Sequence, residues 1–154
     1  MLVNRRTVTI EWGDCDPAGI VYYPRYFAMF DASTAHLFAA ALGYDKFEMR
    51  RRFGMVGFPM VSTSAKFILP SRYGETVTIE STIARFGRSS FDVAHKLLRG
   101  ASPLSEEVAI EAAETRVWAA ADPNDPDRIR GVPIPAEVIE ALLGNPMPPG
   151  NANS

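Results

Sequence analysis

Cysteine is almost absent from this chain: Cys15 is the only one in 154 residues. A single cysteine cannot form an intrachain disulfide, and this low cysteine content is typical of proteins in a reducing compartment. The first residues also lack the pattern of a secretory signal, in which a positively charged start precedes an apolar run. We therefore expect a cytoplasmic protein.

Basic charge is also sparse and scattered. The chain has 16 Lys and Arg against 18 Asp and Glu, a net charge of −2, and no run of basic residues forms a stripe. Nucleic-acid-binding proteins carry such a stripe to meet the phosphates, so nucleic acid is not an expected partner. A small polyanionic ligand stays compatible with this composition, because two or three local arginines can hold it.

Internal repeats, low-complexity blocks and membrane-length apolar runs are absent as well. A membrane-spanning helix needs roughly 20 apolar residues without charges, so no membrane contact is expected. A chain of 154 residues is long enough to bury one sizeable core. We predict one domain over residues 1–143 and a disordered tail over residues 144–154.

What the sequence does have is one long, almost wholly apolar stretch from Pro24 to Leu42. Pro24 suits a first helical turn, where its missing N–H leaves no bond unmade, and Gly43 suits the position after a helix end. Apolar or small residues recur at helical spacing in this stretch: Phe27, Phe30, Thr34, Leu37, Phe38 and Ala41. The other faces are hardly more polar, so the pattern predicts a core helix that is buried on most sides.

Strand-like segments surround this helix. The sequence predicts strands and short helices in the following places: strands over Val3–Trp12, Met55–Leu69, Glu75–Phe86, Ser89–Arg99 and Glu106–Ala121, short helices over Tyr44–Phe53 and Pro135–Leu143, and a loop over 122–131. A sheet built in this order has one face to cover, and the apolar helix can cover it. The predicted fold is α+β, with a curved antiparallel sheet of about five strands wrapped around one long central helix.

Two acidic residues, Asp14 and Asp16, stand just before the helix. They can cap a turn, or one can be a catalytic carboxylate beside the helix N-terminus, where free N–H groups stabilise an oxyanion. A calcium loop is excluded because Ala18 and Arg25 occupy positions that require oxygen ligands. No metal or cofactor is therefore expected. The local spacing alone leaves the capping and catalytic interpretations open.

Cysteine and histidine catalysis are not expected. Cys15 lies between the two acids, whose charges raise the pKa of a thiol and suppress the thiolate. His36 falls well inside the helix and His95 inside a strand, positions typical of structural imidazoles.

A long motif around the acids resembles a known family. The segment GDCDPAGIVYYPRYFAMFDAS is similar to the signature of the 4-hydroxybenzoyl-CoA thioesterases, which are acyl-CoA thioesterases of the hot-dog fold. The resemblance continues through GMVGFPMVSTSAKF and covers most of residues 7–140. A sheet wrapped around a long helix, which this resemblance implies, agrees with the fold predicted from periodicity.

The resemblance implies roles for particular residues. Asp16 matches the catalytic carboxylate, and the backbone N–H of Tyr23 matches the donor that polarises the thioester carbonyl. Asp31 matches the acid that lies near the aryl ring of the substrate. Gly57 and Pro59, at the start of the second strand, are predicted to contact substrate across a subunit interface.

The predicted CoA site departs from the family pattern. In the segment ARFGRSSF, Arg85 and Arg88 are candidates for the CoA phosphates. Gly87 and Ser89, however, occupy positions where basic residues are expected. Arg88 is the better of the two candidates.

Together these features predict hydrolysis of an aromatic, 4-hydroxybenzoyl-like acyl-CoA to the free acid and CoA. The alternative is a short-chain acyl-CoA or acyl-carrier-protein thioesterase of the envelope-associated type. A hot-dog hydratase would need a His paired with an acid at the helix, and His36 is badly placed for that. A non-catalytic acyl-CoA sensor does not need Asp16. A homo-oligomer, a dimer of dimers, is expected because the helix is apolar on nearly every side and a sheet leaves edges to cover.

Overall fold

The computed structural model describes residues 1–145. Its elements follow in this order: β1 (Val3–Thr9), α1 (Tyr23–Leu42), α2 (Lys46–Phe53), β2 (Met60–Phe67), β3 (Thr76–Phe86), β4 (Ser90–Arg99), β5 (Glu107–Val117), β6 (Ala119–Asp122), β7 (Asp125–Gly131) and α3 (Ala136–Leu142). Most of the predicted tail, residues 146–154, lies outside the described residues. Across residues 1–145 no helix is long and apolar enough to cross a membrane.

Five strands form one antiparallel sheet in the order β1-β3-β4-β5-β2. Alternate residues of β3 are buried against α1, and the residues between them are more exposed. This alternation is what a sheet with one covered face requires. The buried positions include Val77, Ile79, Ser81 and Ile83. The predicted α+β hot-dog architecture is confirmed.

Helix α1 lies across the covered face. It begins at Tyr23, with Pro24 in its first turn, and ends at Gly43, whose positive φ of 79° and N–H bond to Ala39 O at 2.9 Å close the helix. One face is buried: Tyr26, Met29, Phe30, Ser33, Thr34, Leu37, Phe38 and Leu42. The opposite face, with Ala28, Asp31, His36 and Ala40, is exposed, because a single sheet can cover only one side of a helix. In one chain, the helix is therefore not buried on most sides.

The predicted loop over 122–131 is wrong. Residues Ala119–Asp122 and Asp125–Gly131 pair as the antiparallel ribbon β6–β7. The Asp122 carboxylate accepts the Asn124 N–H at 2.9 Å and so closes the tight turn between the strands. Hydrogen bonds between the two strands and this turn hold the ribbon together. Neither produces a periodic spacing of apolar residues in the sequence, so the strand β7 could not be recognised from that spacing.

Two strand boundaries also differ from prediction. The long strand predicted over Glu106–Ala121 divides at Trp118, whose side chain is 1% exposed and packs into the core, while its N–H bonds to Ser89 O at 2.7 Å. The second strand starts at Met60 rather than Met55, because Gly57, at a φ of 154°, makes only an isolated bridge to Ala119.

Candidate active site

The turn before α1 gives the two acids different structural settings. Asp14 closes a short 3₁₀ turn over Trp12–Asp14, where its Oδ2 accepts the Glu11 N–H at 2.9 Å. Its carbonyl oxygen also accepts the Tyr22 N–H at 2.8 Å. Asp14 therefore acts as a cap that fixes how the chain enters the helix.

Asp16 is half-buried in a second tight turn. Its Oδ1 accepts the Ala18 N–H at 2.8 Å, and its backbone carbonyl accepts the Gly19 N–H at 2.9 Å. Gly19 adopts a positive φ of 77°, which a turn of this kind requires. The second carboxylate oxygen, Oδ2, accepts no hydrogen bond within the described part of the chain. One oxygen of Asp16 is thus anchored and the other is available.

The first turn of α1 offers a free hydrogen-bond donor. Tyr23 occupies the first helical position, where an N–H has no intrahelical partner, and no acceptor within residues 1–145 takes its N–H. Pro24, the next residue, has no N–H to offer. The partial positive charge of the helix N-terminus adds to the effect of this N–H on an oxygen atom.

An apolar cleft of about 270 Å³ adjoins this donor. Its walls come from the start of α1 and from the end of β2: Ile20, Val21, Tyr23, Tyr26, Phe67, Ile68, Leu69 and Pro70. The Phe67 ring lies 6.3 Å from the Tyr23 ring and 6.2 Å from the Phe27 ring, centroid to centroid. Tyr23, Phe27 and Asp31 are four residues apart, so they share one face of the helix.

A larger open groove of about 670 Å³ runs along the outer face of the sheet near Arg5, Glu75 and Arg99. Its charged residues pair with one another; Arg99 Nε, for instance, lies 3.2 Å from Glu75 Oε2. This groove contains none of the residues predicted to carry the chemistry. We therefore place the site at the apolar cleft.

Asp31 is held by an arginine that the sequence analysis did not single out. Arg116 Nη2 donates to Asp31 Oδ1 at 2.7 Å, and the Asp31 side chain is still 65% exposed. Arg116 itself is buried on β5, with only 4% of its side chain exposed. Asp31 is therefore an exposed acid whose carboxylate is held by a buried arginine of the sheet.

Glu114 lies next to this arginine in the core. Burial tends to raise its pKa, but hydrogen bonds from His95, Arg116 and Thr34 more than offset that effect and lower the pKa to about 2. Two of these distances are short: Arg116 Nε donates at 2.8 Å and Thr34 Oγ1 at 2.7 Å. Glu114 is accordingly an ionised carboxylate inside the core.

The remaining predicted residues lie together elsewhere, around the start of β2. Gly57 O accepts the Ala119 N–H at 3.0 Å, and Pro59 O accepts the Val117 N–H at 3.1 Å. Arg85 Nε is paired with Asp92 at 2.7 Å. Arg88, in the turn between β3 and β4, is exposed.

The ribbon brings further arginines to this place. Ile134 N donates to Arg88 O at 3.0 Å, and a Cβ placed on Gly131 would lie 3.0 Å from Ser89 Oγ. Strand β7 therefore ends beside the turn that carries Arg88, and it contributes Arg128 and Arg130. The sequence analysis missed both because it assigned them to a loop.

Within one chain the predicted residues form two separate groups. We call the turn holding Asp16 and the start of α1 the carboxylate end, and the region of Gly57, Pro59 and Arg88 the arginine end. Strand β3 starts beside the carboxylate end, where Gly74 N donates to Ile10 O at 2.9 Å, and it ends at the Arg88 turn. Its 11 residues span roughly 35 Å. In one chain, Asp16 and Arg88 therefore lie near opposite ends of β3.

The cysteine and histidines occupy structural positions. Partial burial, followed by the charges of Asp14 and Asp16, raises the pKa of the Cys15 thiol and so disfavours the thiolate. His95 is buried and hydrogen-bonded to Ser81 Oγ at 2.7 Å, and His36 is exposed on α1.

Comparisons with known proteins agree with this architecture. A family model for the thioesterase-like superfamily matches residues 10–142. The 4-hydroxybenzoyl-CoA thioesterase of Pseudomonas sp. (strain CBS-3) is 36% identical over 131 residues, covering 85% of this chain and 91% of that protein.

Solved structures give the same answer. The structure of the Pseudomonas enzyme superposes with a TM-score of 0.80 at 35% identity, covering 90% of this chain and 98% of that one. An aspartate-to-asparagine variant of a 4-hydroxybenzoyl-CoA thioesterase, complexed with 4-hydroxybenzoyl-CoA, gives 0.81 at 34% identity, covering 91% and 98%. A gentisyl-coenzyme A thioesterase gives 0.72 at 24% identity over 91% of this chain and 99% of that one, which supports the fold alone. The chain therefore belongs to the thioesterase-like superfamily, as a hot-dog thioester hydrolase of the 4-hydroxybenzoyl-CoA thioesterase family.

Proposed function

We propose that this protein hydrolyses an aromatic acyl-CoA, of the 4-hydroxybenzoyl-CoA type, to the free acid and CoA. The observation that carries the proposal is the free N–H of Tyr23 at the start of α1, close in the chain to a carboxylate with an available oxygen, Asp16. The 36% identity to a 4-hydroxybenzoyl-CoA thioesterase supports the substrate class.

The Tyr23 N–H has the role of an oxyanion donor. The thioester carbonyl oxygen accepts this N–H, and its growing negative charge is stabilised by the donor and the helix N-terminus. Only the main chain is required for this role, and the exposed phenol ring of Tyr23 packs against aromatic neighbours.

Asp16 supplies the attack. Its free oxygen adds to the carbonyl carbon, or removes a proton from the water that adds there. The tetrahedral intermediate then expels CoA as a thiolate, which takes up a proton. In the first route, water hydrolyses the resulting acyl-aspartate anhydride and restores the carboxylate; in the second, the acid forms directly.

The apolar cleft and Asp31 suit an aromatic acyl group. Asp31 lies eight residues after Tyr23, about 12 Å along the helix axis, and its side chain leans back towards the helix start. An aryl ring attached to a carbonyl at Tyr23 would therefore point along Phe27 towards Asp31. A carboxylate there accepts a hydrogen bond from a ring hydroxyl.

The separation of the two ends supports a site shared between subunits. Strand β2 runs from the arginine end to the carboxylate end, where Phe67 contacts Tyr23. If two β2 edges pair antiparallel about a twofold axis, the Gly57–Pro59 segment and Arg88 of one subunit approach Asp16 and Tyr23 of the other. A dimer of this kind completes the site, and the family resemblance extends it to a dimer of dimers.

The arginine end is expected to bind the phosphates of CoA. Arg88→Ala and Arg130→Ala should each raise KM for the CoA thioester about tenfold to a hundredfold with little change in kcat, because one charge-assisted contact of about 1.5–3 kcal/mol is lost equally from ground and transition states. Steady-state kinetics at low and high salt measure this effect, which salt should weaken.

Arg85→Ala serves as the matched comparison. Its guanidinium is already neutralised by Asp92 at 2.7 Å, so its removal should change KM less. Unchanged KM in both Arg88→Ala and Arg130→Ala would exclude the arginine end as the nucleotide site.

A substrate panel tests the proposed reaction itself. Purified protein is assayed for release of free thiol from 4-hydroxybenzoyl-CoA, benzoyl-CoA, acetyl-CoA, butyryl-CoA and an acyl-carrier-protein thioester. Highest kcat/KM on the aromatic thioesters supports the proposal. Preference for the short-chain or carrier-protein substrates would favour the alternative thioesterase, and binding without turnover would indicate a sensor.

A further inference from the structure

We propose that the buried pair Arg116 and Glu114 positions Asp31, and thereby gives the enzyme its preference for acyl rings that carry a hydroxyl group. This inference rests on the proposed function, because it assigns Asp31 to the substrate ring. Neither Arg116 nor Glu114 touches the reacting atoms; both act through Asp31.

Arg116 uses each part of its guanidinium group. Nη2 donates to Asp31 Oδ1 at 2.7 Å, Nε to Glu114 Oε2 at 2.8 Å, and Nη1 to Phe58 O at 3.2 Å. A planar guanidinium with three fixed acceptors has no freedom to rotate. It therefore defines the direction in which the Asp31 carboxylate points.

Glu114 fixes the same helix a second time. Thr34, one turn after Asp31 on α1, donates its hydroxyl proton to Glu114 Oε2 at 2.7 Å. The helix is thus tied to β5 through Asp31 and through Thr34, with both ties converging on adjacent inward-facing residues of one strand. A register shift of α1 over the sheet would break both.

The network continues to His95 with a defined tautomer. Thr34 has one hydroxyl proton and gives it to Glu114, so the contact of 3.3 Å between Thr34 Oγ1 and His95 Nε2 requires the proton to be on Nε2. His95 Nδ1 contacts Ser81 Oγ at 2.7 Å, and Phe30 stacks on the imidazole at 5.0 Å. Each polar side chain in the set has a partner.

Buried charge of this extent is not explained by stability. The side chains of Arg116, Glu114 and His95 are 4%, 1% and 0% exposed. Replacing a buried ion pair by apolar residues is often neutral or stabilising, so such a pair is weak evidence for a stabilising role. A network that ends on an exposed carboxylate, on the helix face that also carries Tyr23 and Phe27, has a role that an apolar core could not perform.

Fixing Asp31 changes what it can recognise. Oδ1 is engaged by Arg116, whereas Oδ2 has no donor within residues 1–145. A ring hydroxyl donates to Oδ2 without the cost of ordering the carboxylate, because the protein has already ordered it. A ring without a hydroxyl gains nothing from Oδ2. We expect the wild-type kcat/KM for 4-hydroxybenzoyl-CoA to exceed that for benzoyl-CoA by about tenfold to a hundredfold.

The test uses the ratio of these two kcat/KM values. The double variant Glu114→Gln/Arg116→Gln removes both charges, so neither is left buried and unpaired. We expect it to lower the ratio about tenfold by lowering kcat/KM for the hydroxylated substrate, while benzoyl-CoA hydrolysis changes little. A purely structural network would slow both substrates alike and leave the ratio unchanged, which would overturn the inference.

Two further variants keep the test decisive. If the double variant does not fold, Arg116→Lys retains the charge but cannot reach three acceptors, and it should lower the ratio in the same direction. Ser33→Ala is the control: it removes a buried hydroxyl on the same helix, bonded to Met29 O at 2.7 Å, and should lower Tm without changing the ratio.

Asp31→Asn separates this inference from the proposed function. Wild-type protein with no aryl-CoA turnover contradicts the proposed function. Aryl-CoA turnover with no preference between the two substrates contradicts this inference and leaves the proposed function standing. If Asp31→Asn abolishes the preference, Arg116→Lys should have no further effect on the ratio in that background. If instead Asp31→Asn abolishes the preference while Arg116→Lys and the double variant retain it, only the positioning role is refuted.

Discussion

Asp16→Asn is expected to lower kcat by at least about 100-fold, the lower end of the effect of removing a general base. Asparagine has nearly the same shape, and its side-chain oxygen can still accept the Ala18 N–H that Asp16 Oδ1 accepts at 2.8 Å. The turn and the helix start should therefore persist. What is lost is the negative charge that attacks the thioester or activates water, so KM and Tm should change little.

Asp14→Asn is the matched control for this change. Both residues lie in the short segment before α1, but Asp14 caps the 3₁₀ turn through Glu11 N at 2.9 Å. Its replacement should reduce Tm more and kcat much less than Asp16→Asn does. Rates from free-thiol release and Tm from thermal unfolding measure the two effects.

Near-native turnover in Asp16→Asn would mean that Asp16 is only a turn cap. Isothermal titration of this chain's Asp16→Asn variant with a slowly hydrolysed aryl-CoA checks substrate binding directly.

The central helix and the main strands could be predicted because each has its own local signal. Helical spacing from Phe27 to Ala41, with Pro24 and Gly43 at its ends, defines α1 to within one residue of its observed bounds. Strand β3 shows the alternation of a sheet with one covered face. The ribbon β6–β7 has no such pattern, because β6 is a short run of alanines ending at Asp122 and β7 is mostly polar and exposed.

The positioning network could not be predicted from local pattern. Glu114 and Arg116 alternate with Thr115 on β5, and charged residues at such positions usually face water. They face the core here because Thr34 and His95, distant in sequence, supply partners there. The only indication in the sequence was that Glu114 and Arg116 fall at positions of β5 where strand alternation predicts inward-facing, apolar residues.

The grouping of the site was predicted through the family resemblance, and local sequence pattern alone did not indicate it. The motif places Asp16 and Tyr23 close together, and they are local in the fold as well. Gly57, Pro59 and Arg88 belong to the same proposed site but lie at the arginine end, and β3, which runs to the Arg88 turn, is roughly 35 Å long. Only the topology reveals that distance, and it makes the oligomer a requirement of the proposed mechanism.

The two edges of the sheet differ in how well they are protected. Strand β1 carries Arg5, which pairs with Glu80 and Glu106 across neighbouring segments. Strand β2 has a single charged residue, Lys66, and an exposed Val61. Charges discourage edge-to-edge pairing, so β2 is the edge suited to a partner.

Thr63→Pro is expected to separate the subunits and abolish turnover. Ile68 N donates to Ala109 O at 2.8 Å, and strand alternation then directs the N–H of Thr63 away from β5, towards the free edge. Proline at this position removes a donor to a partner strand but none to β5, and proline is tolerated on strand edges. The variant should keep its fold, shown by circular dichroism, and lose aryl-CoA hydrolysis, because the arginine end can no longer reach Asp16.

Thr7→Pro is the matched control at the opposite edge. By the same alternation, the Ile10 N bond to Glu75 O at 2.8 Å directs the N–H of Thr7 away from β3. This variant should remain oligomeric and active. Light scattering at assay concentration distinguishes the species: wild-type protein and Thr7→Pro should exceed the 16.9 kDa of one chain at least about twofold, and Thr63→Pro should approach that mass. A folded Thr63→Pro monomer with full turnover would refute the shared site, because a single chain would then bring all the necessary groups to the substrate.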